Sequence, residues 1–205
     1  MKNTSNLIEI HKKSFDIFCN ELLLWSKTHN ITGYKTANDI MKNIVDSLRP
    51  LEFMGDFKNV VDIGSGCGFP AIPLAICNDD REFVLVEPNA KKASFLKVIS
   101  MNLGLKNVVV LKERIQSAKL TLNADLITSR AVDKAENIIK MSSHLLSNNG
   151  YFLLYKSASE FSDIGQNDKS QGENLSKIFY FYKSKSEALD YAKSKITGGK
   201  KWQNY

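Results

Sequence analysis

A glycine-rich segment that follows a short β-branched run constrains this chain more than any other feature. The run Val60 to Ile63 is followed by glycines at 64, 66 and 68 and then by Phe69-Pro70. Glycine allows left-handed backbone turns and lets the main chain approach a ligand closely. Leu85-Val86-Glu87 supplies a second apolar run that ends in a carboxylate, which suits a ribose. The combination predicts a strand, a sharp turn and a pocket for a nucleotide-like cofactor.

From residue 59 onward, runs typical of strands alternate with helical patterns. The predicted strands are Asn59–Ile63, Glu82–Val86, Val108–Leu111, Asp125–Ser129 and Tyr151–Tyr155, and the predicted helices are Ala71–Cys77, Ala90–Leu103 and Ala131–Leu146. Strands separated by helices form parallel βαβ units with right-handed crossovers. The predicted fold class is therefore α/β, a doubly wound, Rossmann-like sheet. In such a sheet ligands bind beyond the carboxyl ends of the strands, where the glycine loop would lie.

The residues before this alternation predict a helical cap. Near-helical spacing of apolar residues indicates one amphipathic helix over residues 5–29, and a second is predicted from Ala37 to about Phe53. We expect residues 1–55 to form this N-terminal helical cap. Residues 56–205 would form a cofactor-binding core, within one compact domain overall.

The last quarter of the chain is predicted to be irregular. Residues 165–174 contain no large apolar residue, which indicates a loop. Tyr155-Lys156-Ser157 is echoed by Tyr182-Lys183-Ser184, so the sequence leaves open which of the two lysines follows the last core strand.

Composition excludes several classes of protein. Every apolar run is far shorter than the roughly 20 residues of a membrane helix, and the N-terminus lacks the apolar segment of a secretory signal. We therefore expect a cytoplasmic protein without a membrane partner. The three cysteines and three histidines lack ligand spacing, so neither a disulfide framework nor a metal site is expected. The net charge of +6 is in the direction expected for a partner that carries phosphates.

Two cofactors compete for the glycine loop. Gly66, Gly68 and Ala71 satisfy the dinucleotide pattern, but a dinucleotide needs a helix N-terminus at its pyrophosphate, and prolines at 70 and 73 obstruct one. An acid two residues before the first glycine, Asp62, suits S-adenosylmethionine, which has no phosphate. The loop therefore favours the methyl donor. Gly64, Gly66 and Gly68 would supply backbone contacts, Asp62 would fix the loop or join an amino-group network, and Glu87 would hold the ribose.

The segment from Asp62 to Ile76 resembles the cofactor motif of the RsmG (GidB) methyltransferases, chiefly through its Pro70-x-x-Pro73 ending. Other segments are similar to further family motifs, in the family's order over roughly residues 15–157. They are Asn30-Ile31-Thr32 with Ile44 to Leu48, Lys91 with Phe95-Leu96, and Thr128 to Val132. Two positions depart from the pattern, since Asn43 stands where the family usually has histidine and Ala71 where it usually has glycine.

The resemblance implies a class I methyltransferase that transfers a methyl group from S-adenosyl-L-methionine to N7 of a guanosine in 16S rRNA. The family's target is position 527 in the 530 loop. Carried onto this sequence, donor binding falls on Gly64, Phe69, Ile115, Gln116 and Arg130. Arg130 and Lys156 are candidates for contacts with RNA. The implied partner is 16S rRNA or the small ribosomal subunit, and a monomer is expected.

Guanine N7 already carries a lone pair, so we assign no catalytic acid or base and expect catalysis by positioning. Two other functions stay open. An NAD(P)-dependent oxidoreductase would use Gly66, Gly68 and Ala71 for its dinucleotide. An rRNA-binding protein with impaired catalysis is suggested by Asn43, Ala71 and the unusual C-terminus.

Overall fold

The computed structural model describes residues 3–120, 122–157 and 178–197. In these ranges the α-helices are α1 (Thr4–Ile10), α2 (Lys12–His29), α3 (Ala37–Leu48), α4 (Ala71–Ile76), α5 (Ala90–Asn102), α6 (Ala135–Ser142) and α7 (Lys185–Thr197). The strands are β1 (Asn59–Ile63), β2 (Glu82–Val86), β3 (Val108–Leu111), β4 (Ala124–Arg130), β5 (Leu146–Ser157) and β6 (Ile178–Ser184). Short 3-10 helices span Arg49–Glu52 and Ser143–Leu145.

The six strands form one sheet in the order β3-β2-β1-β4-β5-β6. β1 to β5 pair in parallel, and β6 runs antiparallel to β5. The predicted doubly wound α/β class is confirmed, although the antiparallel last strand was not predicted. Strand order reverses between β1 and β4, and ligands bind at such a switch point. The loop after β1 starts at that point.

Three helices differ from their predicted bounds by more than one residue. The single helix predicted over residues 5–29 is two helices, because the backbone leaves helical geometry at His11 (φ −102°, ψ 16°). The helix predicted to reach Phe53 ends as an α-helix at Leu48 and continues as a 3-10 turn that contains Pro50, which has no N–H to donate. The helix predicted from Ala131 begins only at Ala135, because Ala131 has a left-handed φ of 53°.

Residues 178–197 are more regular than predicted, since β6 adds a strand at the sheet edge and α7 packs on β5 and α6. Lys183 of β6 lies opposite Phe152 of β5, whereas Lys156 lies near the carboxyl end of β5. The two echoed lysines are thus at opposite ends of the strand pair, and Lys156 is the one at the ligand-binding edge. The loop predicted at residues 165–174 lies outside the described residues.

Two hydrophobic clusters cover the two faces of the sheet. Val60 of β1 joins a cluster with Phe18 of α2 and with residues of α3, α4 and α5. Its neighbour Val61 joins the opposite cluster, with Ile138 of α6 and Ala188 of α7. This alternation follows from strand geometry. The N-terminal helices therefore share a core with the sheet, while a division at residue 55 stays a prediction. None of the described helices is long and apolar enough to cross a membrane.

Candidate active site

The glycine loop connects β1 to α4 and is held by main-chain hydrogen bonds. The Gly64 N–H donates to the Val86 carbonyl at 2.8 Å, and the Gly68 N–H donates to the Ser65 carbonyl at 2.8 Å. Gly64, Gly66 and Gly68 have φ values of 68°, 57° and 97°, a region that other residues rarely enter. The three glycines therefore form the sharp turn that their spacing predicts.

At two of these positions, Gly64 and Gly68, the close packing of the loop also leaves no room for a side chain. A Cβ atom on Gly64 would lie 2.4 Å from Cγ2 of Val132, and one on Gly68 would lie 2.8 Å from Cγ1 of Ile72. Carbon atoms attract each other best near 3.5 to 4.0 Å, so both distances are repulsive. The missing side chains thus let the loop lie directly against the segment after β4 and against α4.

Glu87, just beyond the carboxyl end of β2, holds the loop from its other side. One carboxylate oxygen accepts a hydrogen bond from the Gly66 N–H at 2.8 Å, and the other accepts one from the Asn89 N–H at 2.7 Å. The Asn89 side chain caps the N-terminus of α5. A carboxylate has about four lone-pair sites, so Glu87 can still accept hydrogen bonds from a ligand's hydroxyl groups.

A cavity of about 580 Å³ lies in front of the loop, within the size range of small-molecule and cofactor sites. It is lined by seven of the nine predicted cofactor-binding residues: Gly64, Gly66, Phe69, Glu87, Ile115, Gln116 and Arg130. Asp62 and Gly68 lie behind the loop and are not part of the wall. Their positions therefore favour a role in holding the loop rather than contact with a ligand.

Asp62 is buried beneath the loop, with 1% of its surface exposed. Its Oδ1 accepts a hydrogen bond from the Thr128 hydroxyl of β4 at 2.6 Å, and its carbonyl accepts one from the Ser65 hydroxyl at 3.2 Å. Burial raises the pKa of the Asp62 carboxyl to about 7, against the lowering effect of its hydrogen bonds. Of the two predicted roles for Asp62, fixing the loop is the one its contacts favour.

Ile115 and Gln116, which follow β3, line the same cavity as the glycine loop. Ile115 is buried, and Gln116 is exposed with its Nε2 3.7 Å from Sδ of Met141. Ile63 and Val86 add apolar surface to the same cavity. An apolar slot beside a carboxylate can accept a flat heterocycle attached to a sugar, and the predicted adenine contact at Ile115 and Gln116 stays a prediction.

Arg130 is the last residue of β4 and stands at one end of the cavity. Its Nη2 donates a hydrogen bond to Oδ1 of Asn43 and lies 3.9 Å from Oδ2 of Asp46. Its Cζ lies 5.9 Å from the centre of the Phe69 ring. Asp46 is thus the acidic neighbour that a buried guanidinium needs. Asn43, which departs from the family pattern, is a direct partner of Arg130.

Lys156, a candidate contact with RNA, is not among the residues that line the cavity. It is 3% exposed, and its ammonium group donates a hydrogen bond to the Asp133 carbonyl. An ammonium group in this position holds the segment after β4 and cannot reach an RNA phosphate without a rearrangement. The geometry therefore does not support the predicted contact between Lys156 and RNA.

Part of the cavity wall comes from residues for which the sequence predicted no role. Ile31, Thr32 and Tyr34 belong to the segment between α2 and α3, and Lys92, Arg114, Asp133 and Met141 also line the cavity. Asn30-Ile31-Thr32 had matched a family motif, which was the one available signal. Coil residues have no periodicity, so their position in front of a distant loop could not be predicted.

The start of α4 offers little to a pyrophosphate. Pro70 and Pro73 have no N–H, and the Ile72 N–H already donates to the Gly68 carbonyl at 2.8 Å. No residue of α4 lines the cavity, whereas dinucleotide sites direct free helix N–H groups at the phosphates.

Ala71, where the family usually has glycine, is not in the left-handed region. Among the described non-glycine residues, only Asn30 and Ala131 have positive φ. Alanine at position 71 therefore causes no backbone strain.

Metal chemistry has no ready ligand set here. Within residues 3–120, 122–157 and 178–197, no group of three or more His, Cys, Asp or Glu side chains is arranged to hold a metal ion.

Comparison with known proteins identifies the family. Residues 11–190 match the model of the GidB family, described as rRNA small subunit methyltransferase G. The chain belongs to this family. A ribosomal RNA small subunit methyltransferase G from Helicobacter hepaticus is 49% identical over 152 residues, which are 73% of this chain and 82% of the relative. One from Helicobacter bizzozeronii is 40% identical over 182 residues, 88% of this chain and 99% of the relative.

Solved structures place this family member in the same fold as other methyltransferases. A SAM-dependent methyltransferase from Aquifex aeolicus superposes with a TM-score of 0.50 at 17% identity, covering 73% of this chain and 78% of that structure. The StiE O-MT superposes with a TM-score of 0.50 at 15% identity, covering 75% of this chain and 80% of that structure. This protein thus has the Rossmann-like methyltransferase architecture that its alternating strands and helices predict.

Proposed function

We propose that this protein transfers a methyl group from S-adenosyl-L-methionine to N7 of a guanosine in the 530 loop of 16S rRNA. The observation that carries the proposal is the cavity in which the Gly64–Phe69 loop and the Glu87 carboxylate face Ile115, Gln116 and Arg130. This arrangement suits a nucleoside without phosphates. Membership of the rRNA small subunit methyltransferase G family supports RNA of the small ribosomal subunit as the substrate.

Each part of the cavity has a distinct task in this proposal. Glu87 accepts hydrogen bonds from the ribose hydroxyls while it holds the loop through Gly66. Ile115 packs on the adenine, and the main chain at Gly64 lies along the methionyl part. Phe69, which is buried against Phe18 at a ring distance of 5.3 Å, gives the donor pocket a rigid floor.

The reaction requires orientation rather than proton transfer. When bound, S-adenosyl-L-methionine would supply a methyl group on a sulfonium centre. The lone pair of guanine N7 would form the new N–C bond while the sulfonium C–S bond breaks, which leaves S-adenosyl-L-homocysteine. Holding the two reactants in line can contribute about 7 to 11 kcal/mol toward the barrier. No residue of the cavity is therefore needed as a general base, and Arg130 acts by binding and orienting.

Mass analysis of rRNA tests this function directly. In a strain that lacks the protein, 7-methylguanosine should disappear from the 530 loop of 16S rRNA and should return when the wild-type protein is supplied. The Gly64→Val variant, whose side chain would fill the space taken by Val132, should not restore it. Undiminished 7-methylguanosine in the strain without the protein would refute the proposal.

The two alternative functions have less support. The prolines at the start of α4 leave a dinucleotide without its helix N-terminus. Impaired catalysis was suggested by Asn43 and Ala71, but Asn43 binds Arg130 and Ala71 lies in an unstrained helical position. Single-turnover methylation of purified small subunits distinguishes an active enzyme from one that only binds RNA.

A further inference from the structure

A second cavity, of about 300 Å³, adjoins the donor cavity. Its wall comes from the segment around α3, including Tyr34, Asn43 and Asp46, and from Ile178 of β6. Tyr34 and Arg130 line both cavities. A group bound in the second cavity would therefore lie near a ligand in the first, and these two side chains could contact both.

Two charged side chains that line this cavity form a pair of a hydrogen-bond donor and an acceptor. The Arg130 and Asp46 side chains are 14% and 4% exposed, and Nη2 of Arg130 lies 3.9 Å from Oδ2 of Asp46. Asn43 accepts a hydrogen bond from Nη2. Nη1 of Arg130 is buried and has no hydrogen-bond partner among the described residues. A buried donor without a partner is costly, so this atom fits a ligand acceptor.

Guanine carries the complementary pattern. Along one edge its O6 acceptor is followed by the N1–H and N2 amino donors, so adjacent hydrogen-bonding groups on the protein must be a donor and then an acceptor. We propose that the second cavity receives the target guanine, with Arg130 donating to O6 and the Asp46 carboxylate accepting from N1–H and the N2 amino group. This inference rests on the proposed function and names the residues that select its base.

The orientation of the base follows from the position of Arg130. On a purine, O6 and N7 are neighbours, so a base held at O6 by Arg130 directs N7 toward the cavity that Arg130 also lines. Tyr34 lines both cavities and offers an aromatic surface, a common platform for an unstacked base. Such a base must leave its RNA stack to be methylated.

The same groups reject adenine and tolerate the charge of the product. Adenine presents an amino group where guanine has O6 and an acceptor where guanine has N1–H, so both contacts would be mismatched. Methylation at N7 makes the base cationic. Because Asp46 lies beside Arg130, the ion pair adds no net charge to this part of the wall.

Inosine provides the sharpest test, because it differs from guanosine only by loss of the N2 amino group. Wild-type enzyme is assayed on small subunits whose 16S rRNA carries guanosine or inosine at the methylated position. We expect inosine to lower kcat/KM by about 10-fold or more, as for the loss of one specific base contact. Equal kcat/KM for the two substrates would overturn the proposal without any variant.

The Asp46→Asn variant then separates recognition from stability. It should lower kcat/KM for guanosine by about 100-fold or more and bring the guanosine-to-inosine ratio close to one, while its affinity for S-adenosylhomocysteine stays that of the wild type. A variant that merely folds poorly would lose activity on both substrates in proportion and keep the wild-type ratio. An unchanged ratio therefore argues against Asp46 as the recognition group.

Asp16→Asn serves as the matched control, because Asp16 is an exposed carboxylate on α2 outside both cavities. It should retain the wild-type rate and the wild-type ratio. Failure of the proposed function looks different from failure of this inference, since in that case the wild-type enzyme would methylate no guanine N7 in the small subunit. A wild-type enzyme that methylates guanosine and inosine equally refutes only the inference.

Discussion

Gly64 and Gly104 have nearly the same backbone conformation in different surroundings. Their φ values are 68° and 66°, but a Cβ on Gly64 would lie 2.4 Å from Val132, whereas a Cβ on Gly104 would meet nothing within 4 Å. We expect Gly64→Ala to lower the free energy of unfolding by about 2 to 4 kcal/mol, from strain and overpacking together. It should also weaken S-adenosylhomocysteine binding at least about tenfold.

Gly104→Ala is the matched control, with an expected cost of about 1 to 2 kcal/mol from backbone strain alone. Its affinity for S-adenosylhomocysteine should be unchanged. Urea unfolding and calorimetric titration of both variants provide the comparison. Equal effects of the two substitutions on ligand binding would show that contact with Val132 does not shape the pocket.

Asp62 makes stability depend on pH in a defined direction. Because burial raises the pKa of its carboxyl from an ordinary 3.8 to about 7, the folded protein binds a proton that the unfolded chain releases between these values. The contribution of Asp62 to stability therefore falls as the pH rises from about 4 to 7 and is constant above. Relative to wild type, Asp62→Asn should become steadily more stable across this window.

Urea unfolding at pH 4.5, 6 and 7.5 measures this difference. Asp79→Asn removes an exposed carboxylate nearby in sequence and should follow the pH profile of the wild type. Parallel profiles for Asp62→Asn and wild type would mean that the buried carboxyl does not titrate in this range.

At the scale of elements, two tyrosines of the sheet hold the C-terminal end of α3. The Tyr155 hydroxyl of β5 donates to the Ser47 carbonyl at 2.9 Å, and the Tyr180 hydroxyl of β6 donates to the Asp46 carbonyl at 3.0 Å. These bonds satisfy carbonyls that the end of a helix leaves unpaired. The bond from Tyr180 also holds the backbone of Asp46, a residue that lines the second cavity, against the last strand of the sheet.

Tyr180→Phe should therefore lower the free energy of unfolding by about 1 to 3 kcal/mol, because a buried carbonyl loses its donor. It should raise KM for small subunits and leave the affinity for S-adenosylhomocysteine unchanged. Tyr151→Phe, on an exposed residue stacked on Tyr182, should change stability by less than about 0.5 kcal/mol. A rise in KM of the same size for both variants would contradict the role of Tyr180.

The elements that could be predicted from sequence are those with a local pattern. β1, β2 and β3 have their predicted bounds because short apolar runs end at turn residues, and the glycine spacing predicts the loop. β6 was missed because Ile178 to Tyr182 is almost continuously apolar and aromatic, without alternation, and lies just beyond a polar stretch. Its pairing with β5 depends on tertiary contacts that no local pattern reveals.

The residues of the donor cavity could likewise be predicted only where a local sequence pattern marks them. Residues at strand ends and in the glycine loop could be predicted to share one site, because topology brings strand ends together, and seven of the nine line the cavity. The wall formed by Tyr34 and the Arg130–Asp46 pair depends on where the cap packs, which sequence spacing does not specify. Lys156 shows the limit in the other direction, since it was a candidate contact with RNA, whereas its side chain is buried and donates to the Asp133 carbonyl.

At the scale of the whole molecule, the net charge of +6 bears on the encounter with RNA. Binding of basic side chains to phosphates releases counterions, so affinity falls as salt rises. We expect kcat/KM for small subunits to decrease severalfold or more when KCl is raised from about 50 to 200 mM, while S-adenosylhomocysteine affinity changes little. A rate independent of salt would indicate that phosphate contacts contribute little to substrate binding.

Ligand binding to the folded protein alone must raise its thermal stability, and the identity of that ligand distinguishes the two cofactor classes. At 100 times its Kd, S-adenosylhomocysteine should stabilise the protein by about 2.7 kcal/mol, which corresponds to a rise in Tm of about 5 to 11 °C for a chain of this size. NADPH at the same concentration should leave Tm unchanged, because the start of α4 offers a pyrophosphate no free N–H groups toward the cavity. Differential scanning calorimetry measures both shifts. A rise in Tm with NADPH and none with S-adenosylhomocysteine would favour the oxidoreductase over the methyltransferase, and the glycine loop would then bind phosphates through groups other than α4.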